Sequence, residues 1–222
     1  MLYFVKRPFA LDGSKAQHRK KLHDDIYGVL KSELPAYHTD FDNNISYNEY
    51  GKPYLKNSGV FFNISHCIGL AVCGIDNCEI GVDVENVREF PERVLKRSFS
   101  QREAEAVISS ESPDETFFRV WTLKESFVKA VGIGISYPLN TAEFLFEGSA
   151  IKAIGCDGFS FVQFVINDAF ICSVCLKKQV KNEFSDAKNP GDSLYTTLNT
   201  TLQQAAADAL DGYRGAVVVL EA

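Results

Sequence analysis

Asp83 and Glu85, two carboxylates spaced two residues apart at the end of the apolar run Ile80-Gly81-Val82-Asp83-Val84-Glu85, constrain this chain more than any other feature. The run reads as a strand, and period-two alternation places Asp83 and Glu85 on one face with Val82 and Val84 on the other. At roughly 7 Å apart and an effective dielectric of about 20, the two charges repel by about 2 kcal/mol unless a cation sits between them. Some forty residues on, Trp121-Thr122-Leu123-Lys124-Glu125-Ser126-Phe127-Val128-Lys129 reads as helix. Its i,i+4 spacing stacks Glu125 and Lys129 on one side, with Glu125 bordering the apolar face. An acid beside buried apolar surface must be protonated, paired or bound to metal. A hard divalent cation answers all three carboxylates, and oxygen-only donors favour Mg²⁺, which keeps open positions for substrate phosphates. The bland alternative is a solvated strand face and an ordinary helical Glu/Lys pair.

The pairing of these two stretches resembles the two-part signature of the 4′-phosphopantetheinyl transferase superfamily, Sfp type. Two upstream pieces agree with it. Tyr50-Gly51-Lys52-Pro53-Tyr54-Leu55 is similar to the family's Gly-Lys-Pro element, and Phe62-Asn63-Ile64-Ser65-His66 to its Ser-His element, all in family order. The resemblance implies an α+β fold of two similar halves related by a pseudo-twofold axis, with the active site at their interface. It implies transfer of 4′-phosphopantetheine from coenzyme A to a serine of an apo acyl or peptidyl carrier protein, with release of adenosine 3′,5′-bisphosphate. Asp83, Glu85 and Glu125 would then hold Mg²⁺, Glu125 would take the serine proton directly or through water, and Lys129 would contact the diphosphate. Glu125, Lys129 and Asp83 are thus the expected catalytic residues. Lys52 and Pro53 would flank the adenine, while Ser65, His66 and Arg19 would approach the 3′-phosphate. The resemblance further implies a monomer working in lipid or secondary-metabolite biosynthesis. A non-catalytic module that binds coenzyme A or a carrier protein is the alternative; it would have no need of the three carboxylates.

Composition is compatible with this reading. The 222 residues, 45% hydrophobic, suffice for one large domain or two small ones. We expect halves at about 1–82 and 83–180, followed by a linker and tail over 181–222. No apolar run approaches the roughly eighteen residues of a membrane helix, and Met1–Lys6 lacks the shape of a secretory signal, so a cytoplasmic protein without a membrane partner is expected. The net charge of −6 argues against a general nucleic-acid binder. Lys6, Arg7, Lys15, Arg19, Lys20, Lys21 and Lys31 nevertheless make the first 35 residues locally basic, a place for an anionic cofactor to dock. Cys172-Ser173-Val174-Cys175 is formally C-x-x-C and Cys73 and Cys78 form a second close pair, but an odd spacing along a strand turns Cys172 and Cys175 to opposite faces. Reduced buried thiols are the simpler expectation.

Helix punctuation places the motifs. Ser14-Lys15-Ala16-Gln17 starts a helix that ends near Leu34-Pro35, Pro91 opens a short one through Arg97, and Ser100-Gln101-Arg102-Glu103 caps the next. Ser112-Pro113-Asp114-Glu115 predicts a capped start for the helix that carries Glu125, and Gly132 its end. Strands are expected near Ile45–Tyr47, Phe61–Ile64, Ala142–Phe146, Gly158–Val165 and Ala169–Leu176. Gly69–Ile75 and Cys78–Val84 are expected to form a hairpin across Asp76-Asn77.

Overall fold

The computed structural model describes residues 1–6, 14–148, 150–166 and 169–178. The expected linker and tail over 181–222 lie outside the described residues.

The chain builds the same unit twice. In the first, strand β1 (Leu2–Lys6) leads to helix α1 (Lys15–Glu33), then to strands β4 (Phe61–Cys67) and β5 (Leu70–Asp76); the small hairpin of β2 (Ile45–Tyr47) and β3 (Pro53–Leu55) lies between. The sheet order is β1-β5-β4, all antiparallel. In the second, β6 (Ile80–Asn86) leads through α2 (Glu92–Ser98) and α3 (Gln101–Ile108) to α4 (Pro113–Val131). The hairpin of β7 (Glu143–Glu147) and β8 (Ala150–Ile154) follows, then β9 (Phe159–Ile166) and β10 (Phe170–Lys177). Its sheet order is β6-β10-β9. In both units the last strand sits between the first and the penultimate. This repeat is the arrangement expected of an α+β fold of two similar halves. Strand β6, through which the expected boundary at residue 82 runs, lies whole in the second sheet.

Three apolar layers hold the units together. Leu22, Ile26, Leu30 and Leu34, one helical stripe at i,i+4 spacing, pack with Phe62, Ala71, Cys73 and Ile75 on the outer face of the first sheet. Each such fully buried side chain contributes about 1.5–3 kcal/mol. Leu70 and Val72 meet Val82, Val84, Cys172 and Val174 between the two sheets. On the far side Phe117, Phe118, Leu123 and Phe127 of α4 pack with Ile171 and Cys175. Cys172 and Cys175 therefore face different layers, as their odd spacing requires. The molecule is layered α1, first sheet, second sheet, α4.

Two local expectations are corrected. Strands β5 and β6 do not form a hairpin: β5 has both edges taken by β1 and β4, and β6 pairs with β10. Asp76, which accepts from the Cys78 N–H at 2.9 Å, turns the chain out of one sheet and into the other. Helix α4 starts at Pro113 as expected, but the Ser112 side chain makes no capping bond. The nearby Asp114 instead accepts from the Phe90 N–H at 2.9 Å, fastening the segment before α2. The capping boxes of Ser14 with Gln17 and of Ser100 with Glu103 both form.

Candidate active site

The carboxylates meet where β6 runs between α4 and β4. Gly81 makes the approach of α4 to β6 possible: a Cβ there would lie 1.9 Å from the Ser126 carbonyl oxygen and 2.4 Å from the Ala130 nitrogen. With α4 seated this closely, the faces anticipated from the two periodicities come together. Asp83, 5% exposed, accepts from the Lys129 ammonium at 2.6 Å and from the Ser65 hydroxyl at 2.9 Å, both through Oδ1. The Lys129 ammonium also donates to Ser65 Oγ at 3.0 Å. Asp83 Oδ2 is buried and has no hydrogen-bond partner among the described residues.

Burial pushes the Glu125 carboxyl up to about 7, the charge of Asp83 adds to the rise, Lys129 opposes it, and Glu85 adds a further push. Burial likewise raises Glu85; its bond to Arg88 at 2.8 Å pulls the other way and the charge of Asp83 pushes it up again. Three carboxylates thus act on one another in a partly desolvated place. Among the described residues no group of three or more His, Cys, Asp or Glu side chains stands together so as to hold a metal ion. The Lys129 ammonium supplies the positive charge beside Asp83. The chemistry of the donors, all carboxylate oxygens, nevertheless suits a hard divalent cation. A buried carboxylate oxygen lacks a partner, and two neighbouring acids are driven toward their protonated forms, which a cation would relieve.

The other expected residues fall on two sides of β4, since consecutive residues of a strand point oppositely. Ser65 faces the carboxylates. His66 faces α1, where its Nε2 accepts from the exposed Arg19 Nε–H at 3.2 Å. Burial holds the His66 imidazole below its ordinary value, and the charges of Arg19, His23 and Lys129 press the same way. Neutral His66 therefore accepts as the geometry requires. Lys52 behaves differently from a solvated turn lysine: its ammonium donates to the Ala130 carbonyl at 2.9 Å and lies 3.5 Å from that of Ile80, and burial lowers its pKa. Beside it Asn48 Nδ2 donates to the Gly132 carbonyl at 2.8 Å, while Asn48 Oδ1 accepts the Lys52 and Tyr50 N–H groups. The Gly-Lys-Pro loop of the first half thereby caps the end of α4, where Gly132 takes the left-handed conformation at φ +83°. Pro53 opens β3 opposite Tyr47.

Two contributors escape sequence reading. Lys124, next to Glu125, is fully buried; its ammonium bonds Glu103 at 2.8 Å, the Leu139 carbonyl at 2.9 Å and the Ala142 carbonyl. Glu103 in turn accepts the Ser100 and Phe144 N–H groups. This satisfied ion pair fixes α4 against α3 and the segment before β7. Asn63 is the other, with its Oδ1 accepting the Val82 N–H at 2.8 Å. Neither bond joins residues near in sequence; Asn63 and Lys124 stand in the quoted motif stretches and Glu103 in its capping box, but none of these patterns names a partner.

The sequence model of the 4′-phosphopantetheinyl transferase superfamily matches residues 79–180. The chain is 38% identical over 96 residues to the 4′-phosphopantetheinyl transferase gsp of Aneurinibacillus migulanus, covering 42% of this chain and 40% of that one. It is 35% identical over 131 residues to the 4′-phosphopantetheinyl transferase Sfp of Bacillus subtilis, covering 56% and 58%. These two matches span about half the relatives' length. With the 4′-phosphopantetheinyl transferase HetI of Nostoc sp. it shares 32% identity over 164 residues, covering 67% of this chain and 68% of that one.

Proposed function

The chain belongs to the 4′-phosphopantetheinyl transferase superfamily, and on that footing we propose that it transfers 4′-phosphopantetheine from coenzyme A to a serine hydroxyl of an apo acyl or peptidyl carrier protein. The observation that carries this reading is the cluster of Asp83, Glu125 and Lys129 at the junction of the two halves, with a buried carboxylate oxygen left unpartnered.

Asp83, Glu85 and Glu125 would hold Mg²⁺. Bound there, the ion supplies charge neutralisation for the diphosphate of coenzyme A. Phosphoryl transfer asks chiefly for positioning and for compensation of charge. Lys129 would provide both, since Ser65 and Asp83 fix its ammonium and its charge would compensate the negative charge that the leaving phosphate gains. Glu125 would receive the serine proton, directly or through water; burial raises its carboxyl in the metal-free site, and a bound cation would lower its basicity again. On the other face of β4, the Arg19 guanidinium and the neutral His66 beside it would meet the 3′-phosphate; a dianion there would favour the imidazolium over the neutral ring. The loop of Lys52 and Pro53 would flank the adenine, and the Lys52 ammonium holds that loop to α4. Ser65, its hydroxyl committed to Asp83, Lys129 and Val84, belongs to the carboxylate side. The products are the holo carrier and adenosine 3′,5′-bisphosphate. A cytoplasmic monomer fits this role, and no helix among the described residues is long and apolar enough to cross a membrane.

The test is intact-mass measurement of a broad panel of apo carrier proteins incubated with the full chain, coenzyme A and Mg²⁺. At least one carrier is expected to gain a single phosphopantetheine. If none is modified although coenzyme A binds the chain, the protein is a binding module and the transferase reading fails.

A further inference from the structure

We propose that Asn63 and Ser65 are positioning residues: their side chains form a two-rung ladder between the halves that fixes Asp83 for the reaction. The inference rests on the transferase reading and names residues of that site whose work is mechanical. In an antiparallel pair alternate residues turn their N–H groups away from the partner strand. Strand β6 pairs with β10 along one edge, and along the other no strand of the first sheet hydrogen-bonds to it among the described residues. The N–H groups of Val82 and Val84 meet side chains there instead. Asn63 Oδ1 accepts from Val82 at 2.8 Å and Ser65 Oγ accepts from Val84 at 3.2 Å. Both acceptors are buried, at 7% and 5% exposure. The spacing of two on β4 matches the spacing of two on β6, so the side chains stand where a neighbouring strand's carbonyls would stand.

Asp83 lies between the two rungs. Its backbone is therefore held from the first half on both sides, and its carboxylate is held by the same Ser65 hydroxyl. A serine hydroxyl offers one donor and two acceptor sites. Ser65 uses all three, donating to Asp83 and accepting from Lys129 and Val84. Ser65 is thus the one side chain that sets the backbone of β6, the orientation of Asp83 and the position of Lys129 together. The sheets are pressed close beside the Asn63 rung, where Gly74 is the strand partner of Asn63: a Cβ on Gly74 would lie 2.6 Å from Ile80 Cδ1 and 2.9 Å from Val82 Cγ1. Loss of a rung leaves a buried N–H without a partner and releases β6 to shift.

The experiment compares the full wild-type chain with Asn63→Leu, Ser65→Val and Ser65→Thr, the last two equal in bulk and differing in one hydroxyl. Amide hydrogen exchange at Val82 is expected to quicken at least about tenfold in Asn63→Leu, and at Val84 by a similar factor in Ser65→Val but not in Ser65→Thr. Steady-state kinetics should show kcat down about tenfold or more in Asn63→Leu and Ser65→Val, the KM for coenzyme A within about twofold, and Ser65→Thr near wild type. Unchanged exchange at Val82 and Val84 overturns the ladder. A loss confined to the KM for coenzyme A overturns the positioning role and makes Ser65 a nucleotide contact. Should Asn63→Leu not fold, the Ser65 pair decides alone. If the wild type modifies no carrier, the transferase reading fails by itself, and calorimetric Mg²⁺ titration then tests the ladder. A several-fold weaker affinity in Asn63→Leu and Ser65→Val, with Ser65→Thr unchanged, supports it; equal affinities overturn it.

Discussion

Glu125 carries the clearest consequence at the scale of single residues. Its carboxyl, near 4.5 in an unfolded chain, is raised to about 7 in the fold, chiefly by burial. Between those values the folded state binds more protons than the unfolded one, so stability falls as pH rises through the window. Metal-free protein should therefore melt at progressively lower temperature from about pH 4.5 to about pH 7. Burial raises Glu85 as well and depresses His66, whose contribution runs the opposite way, so the wild-type curve alone mixes the terms. Comparison with Glu125→Gln separates them, because the amide imitates the neutral acid at every pH. The difference in melting temperature between Glu125→Gln and wild type should widen steadily in favour of the variant as pH rises through this range. A difference that stays constant across the window would show that Glu125 is not held in a desolvated, acid-rich place.

At the scale of elements, the seat of α4 on β6 governs whether the two motifs form one site. Gly81→Ala puts a methyl group against the backbone of Ser126 and Ala130, atoms that cannot move without the helix. Overpacking of this kind costs about 1–3 kcal/mol or more. The expected outcome is a lowered melting temperature together with loss of turnover, because α4 carries Glu125 and Lys129 away from Asp83. Wild-type turnover and melting in Gly81→Ala would contradict the close approach. The strand of Asp83 and Glu85 and the helix of Glu125 and Lys129 were legible because each repeats with its own period, two and 3.6, within a few residues. The false hairpin across Asp76 and Asn77 arose because strand edges are assigned by the whole sheet, and β1, which takes an edge of β5, carries no signal of its partner. The burial of Lys124 was not legible for a similar reason. A lysine is ordinarily exposed, and its burial depends on Glu103 and two carbonyls at distances in sequence that no local pattern records.

The whole molecule repeats one order of strands and helix, and the candidate site lies between the repeats. Resemblance led to the two halves, since no internal sequence repetition is visible; the sheets show it because β6-β10-β9 and β1-β5-β4 share one connection pattern. First-half side chains complete the second half. Ser65 and Asn63 serve β6, while Lys52 and Asn48 serve the end of α4. A motif can announce such residues, but its letters do not say which partner each takes, and Ser65 and His66 turn out to serve opposite faces of one strand. Together these contacts join Lys129 to Asp83 within reach of the charges of Glu125 and Glu85, a place that we propose works through a divalent cation. The most direct measurement follows, by intact mass, the rate at which an apo carrier gains phosphopantetheine from coenzyme A with the full chain, first in Mg²⁺ and then in excess chelator. The expected result is steady modification in Mg²⁺ that stops in chelator and returns when the ion is restored. Modification that continues undiminished in excess chelator would contradict a cation held by Asp83, Glu85 and Glu125.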